Sequence, residues 1–204
     1  MATSPGVMRP KPPPGNLPAP PTSFVGRGRE LADVATLLGG VRQLTVTGAA
    51  GGGKTRLALE VVSQAASKSG QCAWLVELAP LADPALLGNA IAAALGIREN
   101  PGSSLSATLA EALGSQQLVL LLDHCEHLHT ACADLVSQLL RQCTGLQIVA
   151  TSQRPLDTEG ETIWRLPPMR YPAEADQGLA AAELLQFDAV RLFVERAKSA
   201  DKHF

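Results

Sequence analysis

Residues Gly48-Ala49-Ala50-Gly51-Gly52-Gly53-Lys54-Thr55 place four glycines, a lysine and a threonine between a β-prone segment, Leu44 to Thr47, and a helix-forming one, Thr55 to Ser67. Few folds use such a junction. Glycines let the backbone curl until consecutive N–H groups point at one place, and the helix that opens there adds the positive end of its dipole. A ring of backbone donors at a helix start, beside a lysine, is a cradle for an anion. The spacing G-x-x-x-x-G-K-[ST] is that of a loop for nucleotide phosphates. On this reading Gly48, Gly51, Gly52 and Gly53 shape the cradle, Lys54 reaches the β- and γ-phosphates, and the Thr55 hydroxyl is a ligand for Mg²⁺.

The chain around this loop alternates strands with helices. Strands are predicted at Cys72 to Leu78, Leu118 to Leu122, Leu146 to Ala150 and Thr162 to Leu166. Helices are predicted at Glu30 to Leu38, from Asp83-Pro84 to about Leu95, at Ser104 to Leu113, at Thr130 to Gln142 and at Asp188 to Lys198, from apolar residues three and four apart and from capping residues. Strands that are apolar throughout and separated by helices belong in a parallel sheet covered on both faces, an α/β fold. In such sheets ligands lie beyond the carboxyl ends of the strands. Three polar clusters follow three of these strands: Gly48 to Thr55, Asp123 to Glu126, and Thr151 to Arg154. Asp123, after five apolar residues, takes the place of the acid that holds the Mg²⁺ shell in proteins with this loop.

The chain has 204 residues, 46% of them hydrophobic, with 17 Lys+Arg against 19 Asp+Glu and a net charge of −2. That composition is globular, and it gives no basic platform for direct nucleic-acid binding. The apolar run Leu118 to Leu122 is far short of the roughly 20 residues that span a bilayer, so no membrane partner is expected. Eight of the 15 prolines fall in the first 21 residues, which make 1–22 a proline-rich tail expected to be disordered. This stretch has no apolar h-region, so no secretory signal is expected, and Cys72, Cys125, Cys132 and Cys143 form no C-x-x-C pair. Free thiols in the cytoplasm are the expectation. The run His124-Cys125-Glu126-His127-Leu128-His129 has no second ligand pair elsewhere, so it does not read as a zinc site.

Phe24-Val25-Gly26-Arg27 before a helix, the phosphate loop, and Trp74 to Pro84 together resemble the NB-ARC-type nucleotide-binding domain of STAND ATPases. They are similar in particular to the bacterial branch found in large ATP-binding LuxR-type transcriptional regulators. Leu122 to Leu128 resembles that branch's second motif, Ala150 to Leu156 its sensor strand, and Ala189 to Ala197 its first lid helix. The resemblance covers Ser23 to about Lys198. It implies a P-loop NTPase fold: a five-stranded parallel sheet flanked by helices, with the sensor strand between the phosphate-loop and Asp123 strands. It also implies ATP or ADP with Mg²⁺ as ligand, Val25 and Arg27 near the base and ribose, slow ATP hydrolysis, and a switch whose nucleotide state governs packing against output or sensor domains or separate proteins. The implied organisation is a nucleotide-binding domain over 23–172 and the start of a helical lid over 173–204, truncated at Phe204.

This chain departs from the family pattern at three places. The residue after Asp123 is His124, where hydrolysing relatives often have an acid. Glu126 is then a candidate base acting through water, or a solvated residue at a helix start. His124 is a group polarising water, or a local cap. Gln153 stands where the sensor commonly has arginine, and the following Arg154 is a γ-phosphate contact or a surface residue. The lid segment whose proline packs on adenine is absent, which predicts an open base pocket, weak binding and little preference for adenine. Two functions compete: a slowly hydrolysing regulatory switch, and a non-hydrolysing nucleotide-binding or protein-interaction fragment. A P-loop small-molecule kinase lacks an identifiable acceptor site or lid arginine helix.

Overall fold

The computed structural model describes residues 15–20, 22–98, 102–114, 116–176 and 178–201. Five strands, β1 (Gln43–Thr47), β2 (Cys72–Glu77), β3 (Leu118–Asp123), β4 (Leu146–Ser152) and β5 (Thr162–Arg165), form one sheet in the order β2-β3-β4-β1-β5. Every pairing is parallel. The sensor strand β4 lies between β1 and β3, as the resemblance implies.

Side chains alternate across the pleat, and each face has its own helices. Leu118, Leu120, Leu122, Leu146, Ile148 and Ala150 pack with α3 (Leu87–Leu95), α4 (Leu105–Leu113) and α5 (His129–Gln142). Leu44, Val46, Val119, Leu121 and Val149 face the other way, onto α1 (Gly28–Leu38) and α2 (Lys54–Ser69). All six residues of β3 are buried, the reason it reads as a run of leucines rather than as an alternation. Two short helical pieces, including α6 (Ala181–Leu184), lead from β5 to α7 (Asp188–Ala200), where no residue is fully buried.

Two local boundaries differ from expectation. Asp83 does cap, accepting from Ala85 N–H at 2.9 Å, but it opens a 3₁₀ turn, Pro84–Leu86, before the α-helix begins. A second 3₁₀ turn, Cys125–Leu128, separates β3 from α5. Part of the proline-rich tail lies against the sheet. The Asn16 side chain donates to Leu75 O at 2.9 Å and accepts from Leu75 N–H at 2.6 Å, so one amide group completes the edge strand β2 as a neighbouring strand would. Leu17 packs against the core beneath it. Gly15 lies so close to Ala73 that a Cβ there would overlap the Ala73 carbonyl oxygen. The rest of the tail, 1–14 and 21, lies outside the described residues. Among the described residues no helix is long and apolar enough to cross a membrane.

Candidate functional site

The parallel register brings the ends of β1, β3 and β4 together: Thr47 pairs with Ser152, and Leu122 with Ala150. The loop between β1 and α2 carries Gly51 at φ 70° and Gly53 at φ 91°, conformations that favour glycine. No atom lies within 4 Å of where a Cβ would stand at either residue, so the loop opens onto free space. Lys54 is 7% exposed, and its ammonium donates to the carbonyls of Gly48 and Ala49, both at 3.0 Å. A charged group already folded over the loop is in place to exchange two carbonyl oxygens for phosphate oxygens.

Below the loop, Asp123 is 3% exposed and fully engaged. Its Oδ1 accepts from the Thr55 hydroxyl and from the Thr151 hydroxyl, each at 2.6 Å. Its Oδ2 lies 2.7 Å from His124 Nδ1. A carboxylate only accepts, so that nitrogen carries the proton. His124 N–H in turn donates to Thr151 Oγ1 at 3.0 Å. These bonds hold His124 in the left-handed region, φ 64°, which costs a side-chain-bearing residue on the order of 1 kcal/mol. The ring is thus tethered to Asp123 through Nδ1, with its side chain 48% exposed. Thr151 was not singled out as a site residue in the sequence. Its position at the end of a strand parallel to β3 was legible; its two hydrogen bonds, one to Asp123 and one from His124 N–H, were not.

Glu126 is half-buried. Its Oε1 accepts from Gln153 Nε2 at 3.2 Å, while Oε2 is buried and has no partner among the described residues. So Gln153, the departure from the sensor pattern, faces Glu126. Arg154 is exposed, with its backbone N–H on Ser152 Oγ at 3.3 Å. The other rings of the histidine run diverge: His127 donates to Leu81 O at 2.9 Å and His129 to Pro155 O at 2.7 Å. All four cysteines are free thiols. Cys125 is pushed well up by a hydrogen bond with Cys132 and by burial, which keeps it protonated.

Arg27 is 5% exposed and ties three segments together. Its guanidinium donates to Gly52 O at 2.9 Å and Pro167 O at 3.1 Å, and its backbone N–H donates to Asp188 Oδ2 at 3.1 Å. Burial lowers its pKa; Glu30 and Asp188 oppose that. Val25 and Arg27 both line a pocket beside Gly51, Gly52 and Gly53.

The family model for an AAA domain matches residues 40–158, more than half of the chain. An uncharacterised protein of Mycobacterium tuberculosis is 39% identical over 183 residues, covering 90% of this chain and 43% of its own length. A second protein of that organism, provisionally named an HTH-type transcriptional regulator, is 36% identical over 168 residues, covering 82% of this chain and 17% of its own length. The chain thus spans less than half the length of these relatives. Among solved structures, Cdc6p from Pyrobaculum aerophilum superposes with a TM-score of 0.53 at 18% identity, over 73% of this chain and 48% of that one. A signal transduction ATPase with numerous domains from Pyrococcus horikoshii, with a tetratricopeptide repeat sensor, gives 0.50 at 18% identity, over 84% and 28%. Those likenesses concern the fold. The family match covers the phosphate loop, the Asp123 strand and the sensor strand, the three elements whose ends meet at the site; the chain belongs to the AAA domain family.

Proposed function

We propose that this chain is an ATP/ADP-binding switch domain with slow ATP hydrolysis, one unit of a longer signal-responsive regulator. The observation that carries the reading is the junction of Thr55, Asp123 and Thr151 beneath an open glycine loop, with the Lys54 ammonium folded over it. The donor set fits the ligands an AAA domain takes: backbone N–H groups and an ammonium for phosphates, and a hydroxyl beside a carboxylate, all oxygen, for a hard divalent ion. Thr55 and Asp123 are the residues that would hold Mg²⁺, which supplies charge neutralisation at the phosphates. Gly48, Gly51, Gly52 and Gly53 shape the cradle, and Lys54 takes the β- and γ-phosphates. Glu126, held by Gln153, is the carboxylate available to take a proton from water, and Arg154 is free to turn toward the γ-phosphate. With His124 rather than an acid directly after Asp123, turnover is slow. The NB-ARC and LuxR-type likeness of the motifs, together with a relative provisionally named a transcriptional regulator, supports placement in a cytoplasmic regulator. In this reading 23–172 is the nucleotide-binding unit and 173–204 begins the lid.

A second reading has its own observation. With the His124 ring hydrogen-bonded to Asp123 Oδ2, the residue after the acid is occupied locally, which favours a domain that binds nucleotide without hydrolysing it. Calorimetric binding of Mg-ATP and steady-state ATPase assays on the wild type and Lys54→Ala separate these cases. Loss of one desolvated, charge-assisted contact worth roughly 1.5–3 kcal/mol is expected to weaken binding at least tenfold. Equal affinities would sink the nucleotide reading. Binding without Lys54-dependent turnover would select the second.

A further inference from the structure

β2 ends the sheet, so one row of its backbone groups has no strand to pair with. Leu78 N–H donates to Asp123 O at 3.0 Å, toward β3. In a parallel pair successive residues alternate in the side their backbone groups face. Those of Cys72, Trp74 and Val76 therefore also face β3, and those of Ala73, Leu75 and Glu77 face outward. Edge strands are ordinarily kept from pairing with another chain by a charge, a proline, a bulge or a covering segment. From Cys72 to Val76, five apolar residues in unbroken register, β2 carries no charge, proline or bulge of its own.

Residues 15–20 supply the cover. A side-chain amide carries the donor and the acceptor of a peptide group. That of Asn16 takes both outward groups of Leu75, accepting from its N–H at 2.6 Å and donating to its C=O at 2.9 Å. Gly15 lies against the next outward group, the Ala73 carbonyl, where a Cβ would stand 1.6 Å from the oxygen. Leu17 to Pro20 then share a cleft of about 100 Å³ with Leu59, Glu60 and Ser63 of α2. Pro18 and Pro20 have no N–H, so the segment closes the edge without presenting a row of donors in its place.

We infer that residues 15–17 are an edge guard, holding β2 closed against the same strand of a second copy of this chain. With the guard lifted, two copies pair antiparallel about Leu75. Its N–H and C=O are exchanged with those of Leu75 in the other copy, in place of the two bonds that Asn16 makes. Ala73 then falls opposite Glu77, so no two carboxylates face each other across the pair. Twofold pairing of this kind is closed and stops at two chains. The inference does not depend on the nucleotide reading.

The test uses the full chain, with mass from light scattering and hydrogen exchange read at the Leu75 amide. The wild type has the mass of one chain, and Leu75 N–H exchanges slowly at low and high protein concentration alike. Asn16→Ala removes the amide, and Gly15→Val drives a side chain into the Ala73 carbonyl, so either opens the edge. In both variants Leu75 N–H loses its protection at low concentration. At high concentration the mass rises toward that of two chains and the protection returns. Folded variants that keep the mass of one chain at every concentration overturn the inference. So does association that leaves Leu75 N–H unprotected, since another surface is then in use. The wild type covers the case of a variant that does not fold: fast exchange at Leu75 N–H, or protection there that grows with concentration, shows that Asn16 does not close the edge and overturns the inference without any variant.

Discussion

At the scale of single residues, the most consequential atom is the Thr151 hydroxyl. It donates to Asp123 Oδ1 and accepts from His124 N–H, and so fixes both the acid and the strained residue after it. Thr151→Val keeps the shape and removes both bonds. It leaves a buried carboxylate oxygen with one donor fewer and a backbone N–H with none. The expected cost is about 1–3 kcal/mol, the penalty for unmaking hydrogen bonds to buried groups. A urea midpoint that moves down with an unchanged slope is the expected result; a midpoint equal to wild type would show that the junction has no energetic weight. The residues that were legible here are those whose role is contiguous. Gly48 to Thr55 is read from one octapeptide, and Asp123 from the strand it ends. Pairs such as Gln153 with Glu126, or the Arg27 guanidinium with Pro167, join residues 27 and 140 apart in sequence. No periodicity encodes a contact of that kind, so they emerge only when the sheet is assembled.

At the scale of elements, β3 was legible because a strand covered on both faces writes itself as an apolar run, while the edge strand β5, half-exposed along its length, was legible only from its β-branched and aromatic residues. The 3₁₀ turns at Pro84–Leu86 and Cys125–Leu128 were not, since one turn is too short to show a period. Nor were the contacts of Asn16 with Leu75 and of Leu17 with the core, made from a stretch that composition marks as a tail. The placement of α7 is the element-level feature with the most consequence for the site, and Gly26 controls it. Gly26 has φ 71°, and a Cβ there would stand 2.7 Å from Asp188 Cβ. Gly26→Ala therefore brings a strained backbone and a clash with the first residue of α7, next to the Arg27–Asp188 bond. The expected outcome is a helix displaced from the N-terminal segment while the sheet stays intact. Hydrogen exchange checks it: amides of α7 lose protection and those of β3 keep theirs. Uniform loss across both, or no change at α7, would contradict this account of the contact.

At the scale of the whole molecule, two apolar cores share one sheet, so neither face can be lost without the other. β3 contributes alternate leucines to both sides, and β4 contributes Ile148 to one and Val149 to the other. Such an arrangement is expected to unfold in one transition. A ligand that binds only the folded state then raises the stability of the whole chain. Saturation at about one hundred times the dissociation constant adds about 2.7 kcal/mol. For a chain of this size each kcal/mol moves the melting temperature by about 2–4 °C, so Mg-ATP should raise it by about 5–10 °C. The same ligand concentration applied to Lys54→Ala, with affinity reduced about tenfold, adds only about 1.4 kcal/mol by the same relation, and the shift falls to about half. Scanning calorimetry of both proteins with and without Mg-ATP gives the comparison. A shift of equal size in the two would mean that the stabilisation does not run through the phosphate loop. Two resolved transitions in the wild type, only one of them moved by ligand, would mean that the cores on the two faces of the sheet are not coupled as the shared strands require.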